Sequence, residues 1–170
     1  MSTPTKLISV DLAIRQTGIA VFDGPHLVYT ATIEKTLGSV YKPLDCYQLE
    51  DGLYKEGGLM SYLDKNAVIL IEFNEMTKGK PSLIEFALEV KGYLIGKGYH
   101  VIMINANHWM KVADRMLAIK RRTCPAGREY NKLWIKKECE HIYPKFPFKT
   151  QDEMDAALMG AIYLVSPTSF

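Results

Sequence analysis

Apolar residues in the first third of the chain fall into short runs separated by turn residues. Residues 6–12 (KLISVDL) form a β-branched run that ends beside a carboxylate. Residues 17–22 (TGIAVF) read as a second strand, closed by the turn pair Asp23-Gly24, and residues 27–33 (LVYTATI) as a third. Three strands with short connections predict an antiparallel meander. Residues 34–45 read as irregular, and 47–65 as a moderately helical stretch weakened by Gly57-Gly58.

The pattern then changes. Residues 67–71 (AVILI) are continuously apolar, as expected of a strand covered on both faces. A helix over 81–97 follows, with Pro81 in its first turn, then a buried strand over 101–104 (VIMI) and a helix over 106–118. Residues 121–129, with Pro125 and Gly127, read as a basic loop. Residues 131–142 read as a helix, 143–149 as a linker with two prolines, and 151–165 as the last helix. This order predicts an α/β fold: a mixed five-stranded sheet, three antiparallel strands then parallel additions, flanked by helices on both faces. One domain is expected over 1–170.

The composition fits that picture. With 48% hydrophobic and 24% charged residues, the chain resembles an ordinary globular protein able to bury a core. No apolar run reaches the roughly 18–20 residues that span a bilayer. Met1–Thr5 leads almost at once into a strand, so no signal or transit peptide is expected ahead of it. Cys46, Cys124 and Cys139 are widely spaced and odd in number, which argues against a disulfide framework or a zinc module. A reduced, cytoplasmic setting is expected.

Charge is unevenly distributed. Lys111, Arg115, Lys120, Arg121, Arg122, Arg128, Lys132, Lys136 and Lys137 are opposed only by Asp114 and Glu129 within 111–137. That segment carries +7, so with the chain at +2 the remainder carries −5. Such a block fits a polyanion, because each phosphate neutralised releases counterions. A solvated helix face is the competing reading. Lys111 with Arg115, and Lys132 with Lys136, share helix faces at i, i+4 and are candidates for phosphate contacts.

The acids give the block its meaning. Asp11 lies at the end of the first strand and Glu72 at the end of the fourth; adjacent parallel strands would bring both to one edge of the sheet. Thr150 with Glu153 makes a capping box, which starts the last helix and puts Asp152 and Asp155 on one face of its first turns. Acids at a helix N-terminus also have a purely structural explanation in the macrodipole. That explanation is weaker for Asp155, deeper in the helix and followed by the small Ala156-Ala157. Oxygen-only ligands favour Mg²⁺ or Mn²⁺, and two such ions about 4 Å apart support phosphodiester hydrolysis.

The order of these pieces resembles the RuvC-like Holliday junction resolvases of the RNase H-like superfamily. The resemblance rests on Asp11 in SVDLAIRQTGIAVFDG, with Thr17-Gly18 opening the second strand. It rests also on Glu72 in AVILIEFNEM, on PSLIEFALEVKGYLIG, and on Asp152 with Asp155 in DEMDAALMGA. It covers nearly the whole chain. It implies an RNase H-like fold and a homodimer that cuts opposed strands of a four-way DNA junction. It also implies two Mg²⁺ ions per active site, for which Mn²⁺ would substitute, held by Asp11, Glu72, Asp152 and Asp155. Asp11 would bridge both ions, Glu72 would serve the one near the leaving group, and Asp152 and Asp155 the one that activates water. Glu75 stands where the family often has an aromatic wedge, and Lys91-Gly92 where it has Arg-Gly. Compact, divergent members occur in phages and other viruses; for one of those the compartment would be the host cytoplasm.

Other readings compete. Related RNase H-like enzymes of the YqgF type act on RNA, and a non-catalytic module would keep the fold and the basic face. Trp109 and Trp134 are candidates for stacking on exposed bases or for the core. His108 and His141 form no metal pair. The helix over 81–97 is apolar on two faces, Leu83, Phe86, Ala87, Val90 and Leu94 on one and Ile84, Leu88 and Ile95 on the other, as either a subunit interface or burial within one subunit would require.

Overall fold

A computed structural model of the chain describes residues 6–34, 36–37, 40–41, 66–73, 81–116 and 128–169. Strands β1 (Lys6–Asp11), β2 (Gln16–Asp23) and β3 (His26–Glu34) form the antiparallel meander. Gly24, at φ 56°, supplies the left-handed residue of the β2–β3 turn, which a side chain would disfavour. A two-stranded hairpin follows, β4 (Thr36–Leu37) and β5 (Val40–Tyr41), where an irregular segment was expected. Gly38-Ser39 between Leu37 and Val40 is its sequence signal.

Strand β6 (Val68–Phe73) runs parallel to β1, and β7 (His100–Asn105) parallel to β6. The sheet has five strands in the order β3-β2-β1-β6-β7, the mixed arrangement expected of an RNase H-like fold. Helices are α1 (Pro81–Gly96), α2 (Ala106–Met116), α3 (Arg128–Ile142) and α4 (Gln151–Val165). Helix α3 starts three residues before the expected Asn131: past Pro125 and Gly127, Arg128 and Glu129 are good helix formers. The helix expected over 47–65, most of the basic loop, Glu75, Cys46 and Cys124 lie outside the described residues. Among the described residues no helix is long and apolar enough to cross a membrane.

Strand alternation divides the interior in two. Ile8, Val10, Ile19, Val21, Ile69 and Ile71 face one way and are covered by Phe86, Ala87, Val90 and Leu94 of α1. Leu7, Ala20, Phe22, Val68 and Leu70 face the other way, under Trp109 and Val112 of α2, Trp134 and Ile135 of α3, and Ala156 to Met159 and Ile162 of α4. Each large side chain withdrawn from water here contributes about 1.5–3 kcal/mol. Both tryptophans belong to this second core; of the two readings open to them, the core is borne out and base stacking excluded. Their ring systems are fully or nearly enclosed, so no base reaches them.

Candidate metal centre

Asp11 is the last residue of β1 and pairs with Gly18 of β2. On its other side β1 follows β6 in register, and the step after Val10↔Ile71 brings Asp11 alongside Glu72. Period-2 alternation puts Asp11 on the same face as Leu7, and Glu72 on the same face as Val68 and Leu70. Both carboxylates therefore lie at the carboxyl-terminal edge of the sheet, on the side covered by α2, α3 and α4. Glu72 lies inside β6, beyond the expected strand end at Ile71, and Phe73 packs towards the α1 core.

The N-terminus of α4 is drawn onto this edge. Thr150 caps it, its Oγ1 accepting from Glu153 N at 3.2 Å. Glu153 completes the box differently from the usual pattern. It is 2% exposed, and its carboxylate accepts from Lys149 N (2.9 Å), Thr30 Oγ1 (3.0 Å) and Thr32 Oγ1 (3.2 Å). Thr32 and Thr150 hydroxyls also share a 2.6 Å hydrogen bond. The acid most readily ascribed to the helix dipole is thus a buried tie to β3. Alternate threonines on the inward side of β3 are the signal that sequence reading passed over.

Two glycines let the helix come close. A Cβ on Gly18 would collide with the backbone carbonyl of Asp152, so the bare strand there sets where Asp152 sits. A Cβ on Gly160, further along α4, would run into the Phe22 ring and lie 3.0 Å from Ser9 Cβ.

The result is a group of three half-buried carboxylates. One oxygen from each of Asp11, Asp152 and Asp155 lies within 4.8 Å of the others. Gln151 Nε2 donates to Asp155 Oδ1 at 2.7 Å, fixing that oxygen. Like charges this close favour a cation between them, and the donor set of hard oxygens, with no sulfur or imidazole, fits Mg²⁺ or Mn²⁺.

Glu72 stands beside this group rather than within it. Its Oε2 accepts from Trp109 Nε1 at 2.8 Å. Burial pushes its pKa up to about 7; the Trp109 bond opposes the rise and the Asp155 charge adds to it. Cys139, also near Asp155, gives its Sγ hydrogen to Met154 O at 3.2 Å. Its pKa is driven up to about 12 by burial and the nearby acids, which leaves it no thiolate character.

The basic candidates are less concentrated. Lys111 and Arg115 are exposed on α2, which leaves the sheet at the same edge. Lys111 lines an open cavity of about 430 Å³ with Met103, Ile104, Asn105, Asn107 and His108. Lys136 and Lys137 are exposed on α3, and Lys136 Nζ lies 3.8 Å from a Glu140 carboxylate oxygen. Arg128 and Lys132 belong to α3, with side chains outside the described set, and Lys120, Arg121 and Arg122 lie outside the described residues.

No protein-family model matches the sequence, and no curated protein is significantly similar to it. Solved structures are similar in fold. RuvC of T. thermophilus in complex with a Holliday junction substrate superposes with a TM-score of 0.59 at 11% identity, over 96% of this chain and 95% of that one. A second structure of Thermus thermophilus RuvC gives a TM-score of 0.57 at 15% identity, over 96% and 97% of the two chains. The fold is that of RuvC, as the motif order implied.

Proposed function

We propose that this protein is a divalent-metal-dependent, structure-selective endonuclease. It resolves four-way (Holliday) DNA junctions by paired symmetrical phosphodiester hydrolysis, as a homodimer of a single nuclease domain spanning 1–170. The observation that carries this reading is the meeting of Asp11, Asp152 and Asp155 at the carboxyl-terminal edge of a RuvC-like sheet. A protein of this fold has been seen with a Holliday junction bound, which favours branched DNA over single-stranded or duplex substrates.

Asp11, Asp152 and Asp155, with Glu72 beside them, would hold Mg²⁺, with Mn²⁺ able to substitute, at two ions per active site. Ions bound there supply an activated water nucleophile and neutralise charge on the leaving oxygen. The chain's own contribution is positional. Thr150, Glu153 and Gly18 hold the α4 carboxylates against Asp11. Lys111 and Arg115 attract the phosphate backbone and set its register without reading sequence. The dimer reading is supported by α1, whose far side leaves Leu88 and Ile95 55% and 49% exposed, opposite the buried stripe.

The test is cleavage of a synthetic immobile four-way junction, beside duplex DNA and structured RNA at matched salt. Wild type is expected to make paired symmetrical nicks in the junction with Mg²⁺ and none with EDTA. Asp11→Asn is expected to abolish cutting while junction binding stays equal or tightens, since one charge facing phosphate is gone. Cutting indifferent to Asp11, or tight binding without cutting in either metal, overturns the reading; preference for RNA moves it to an RNA-processing enzyme.

A further inference from the structure

The Trp109–Glu72 pair has a geometry that core packing alone does not require. Trp109 is fully enclosed, and its indole N–H reaches across from α2 to the carboxylate that ends the inward row of β6. Among the described residues it is the one hydrogen-bond donor to the Glu72 side chain, at 2.8 Å. An indole N–H donates and never accepts, and it keeps its proton at any working pH. Its ring is buried in the second core, which also holds Ile104, Val112 and the α4 residues, so the donor has a fixed position. A buried, donor-only group aimed at one oxygen of a carboxylate selects a rotamer and fixes the orientation of the carboxylate.

We infer that Trp109 is a positioning residue for the metal centre, holding the Glu72 carboxylate by Oε2 beside Asp155, where it would serve as a ligand. This rests on the metal-site reading above. Partners of this kind orient ligating carboxylates, and their loss typically weakens metal affinity by about 10–100-fold. By contrast, Trp134 Nε1 is buried without a partner among the described residues, so the two tryptophans provide an internal comparison.

The first test removes the donor and keeps the shape. Benzothienylalanine, in which sulfur replaces the indole N–H, is incorporated at position 109 and the Mg²⁺ dependence of junction cleavage is measured. The Mg²⁺ concentration for half-maximal cleavage is expected to rise about tenfold or more, with a smaller change in the rate at saturating Mg²⁺ and an unaltered circular dichroism spectrum. The second test uses the unmodified protein and no turnover. In ¹⁵N-indole spectra, assigned with Trp134→Phe, the Trp109 N–H resonance is expected to shift on adding Mg²⁺ and to broaden with Mn²⁺, while that of Trp134 responds less. In Glu72→Gln the Trp109 resonance is expected to start from a different position and to respond weakly to metal.

A Trp109 resonance that ignores a metal able to support Asp11-dependent cleavage makes Trp109 a core residue only and leaves the function standing. An unchanged Mg²⁺ requirement in a folded benzothienyl protein does the same. Absence of any metal effect on either resonance, together with absence of Mg²⁺-dependent cleavage, overturns both readings.

Discussion

The two faces of the central sheet are built from the same strands and are unlike in almost every other respect. On the α1 side the strands contribute Ile8, Val10, Ile19, Val21, Ile69 and Ile71, and the covering helix adds aliphatic and aromatic carbon. On the α4 side the alternate residues of β1 run Leu7, Ser9, Asp11 and those of β6 run Val68, Leu70, Glu72. That side also holds the buried Glu153 and a Ser9 hydroxyl with no hydrogen-bond partner among the described residues. Buried polar groups cost stability unless satisfied, so one face carries costs that the other lacks. The difference shows how a strand with a period of two separates duties: one set of residues makes cover, the set between them leads out to the carboxylate cluster.

The comparison breaks most severely at Gly18. Alanine there would push the Asp152 carbonyl away, and with it the first turn of α4. Junction cleavage is expected to fall by about a hundredfold or more, the scale at which a displacement near 1 Å acts on a reacting geometry. Circular dichroism checks that the fold remains. The opposite face should fail differently. Leu94→Ala leaves a cavity under α1 and is expected to cost about 2–5 kcal/mol in urea denaturation. Its Mg²⁺ requirement for cleavage is expected to stay at the wild-type value. Should Leu94→Ala shift the metal requirement as Gly18→Ala does, the two faces are not separate in function.

Much of this was legible in the sequence, for identifiable reasons. The runs KLISVDL and AVILIEF carry strong strand signals, and a carboxylate at the end of each is conspicuous. The last helix begins where Thr150 and Glu153 predict, because capping is a local interaction. Long-range partnerships were not legible. That Glu153 would turn to Thr30 and Thr32, over 120 residues away, depends on which strand lies beneath α4. The same holds for Trp109, whose spacing marks it as core or base-stacking while the decisive fact is an indole N–H aimed at Glu72. A glycine opening a strand reads locally as a turn residue; its role at Gly18 exists only once Asp152 is above it.

The polar face is also expected to titrate where the aliphatic face does not, and the sign follows from Glu72. Its pKa rises from an ordinary 4.5 to about 7 in the folded protein. Between those values the folded chain keeps a proton that the unfolded chain has lost. The contribution is therefore fully present below about pH 4.5 and is lost as pH rises through about 7, on the order of 3 kcal/mol in all. Urea midpoints of the metal-free protein at pH 5, 6, 7 and 8 measure it against Glu72→Gln, which keeps an oxygen acceptor for Trp109 and cannot ionise. The difference between the two proteins is expected to grow against wild type as pH rises and to level off above 7. If Glu72 ligates Mg²⁺ as proposed, the ion would favour the ionised form, so adding it is expected to restore wild-type stability at pH 8 and to do little at pH 5. A pH profile identical in the two proteins would mean that Glu72 is not held in a desolvated position beside Asp155, and the polar face would then owe its character to the three aspartates alone.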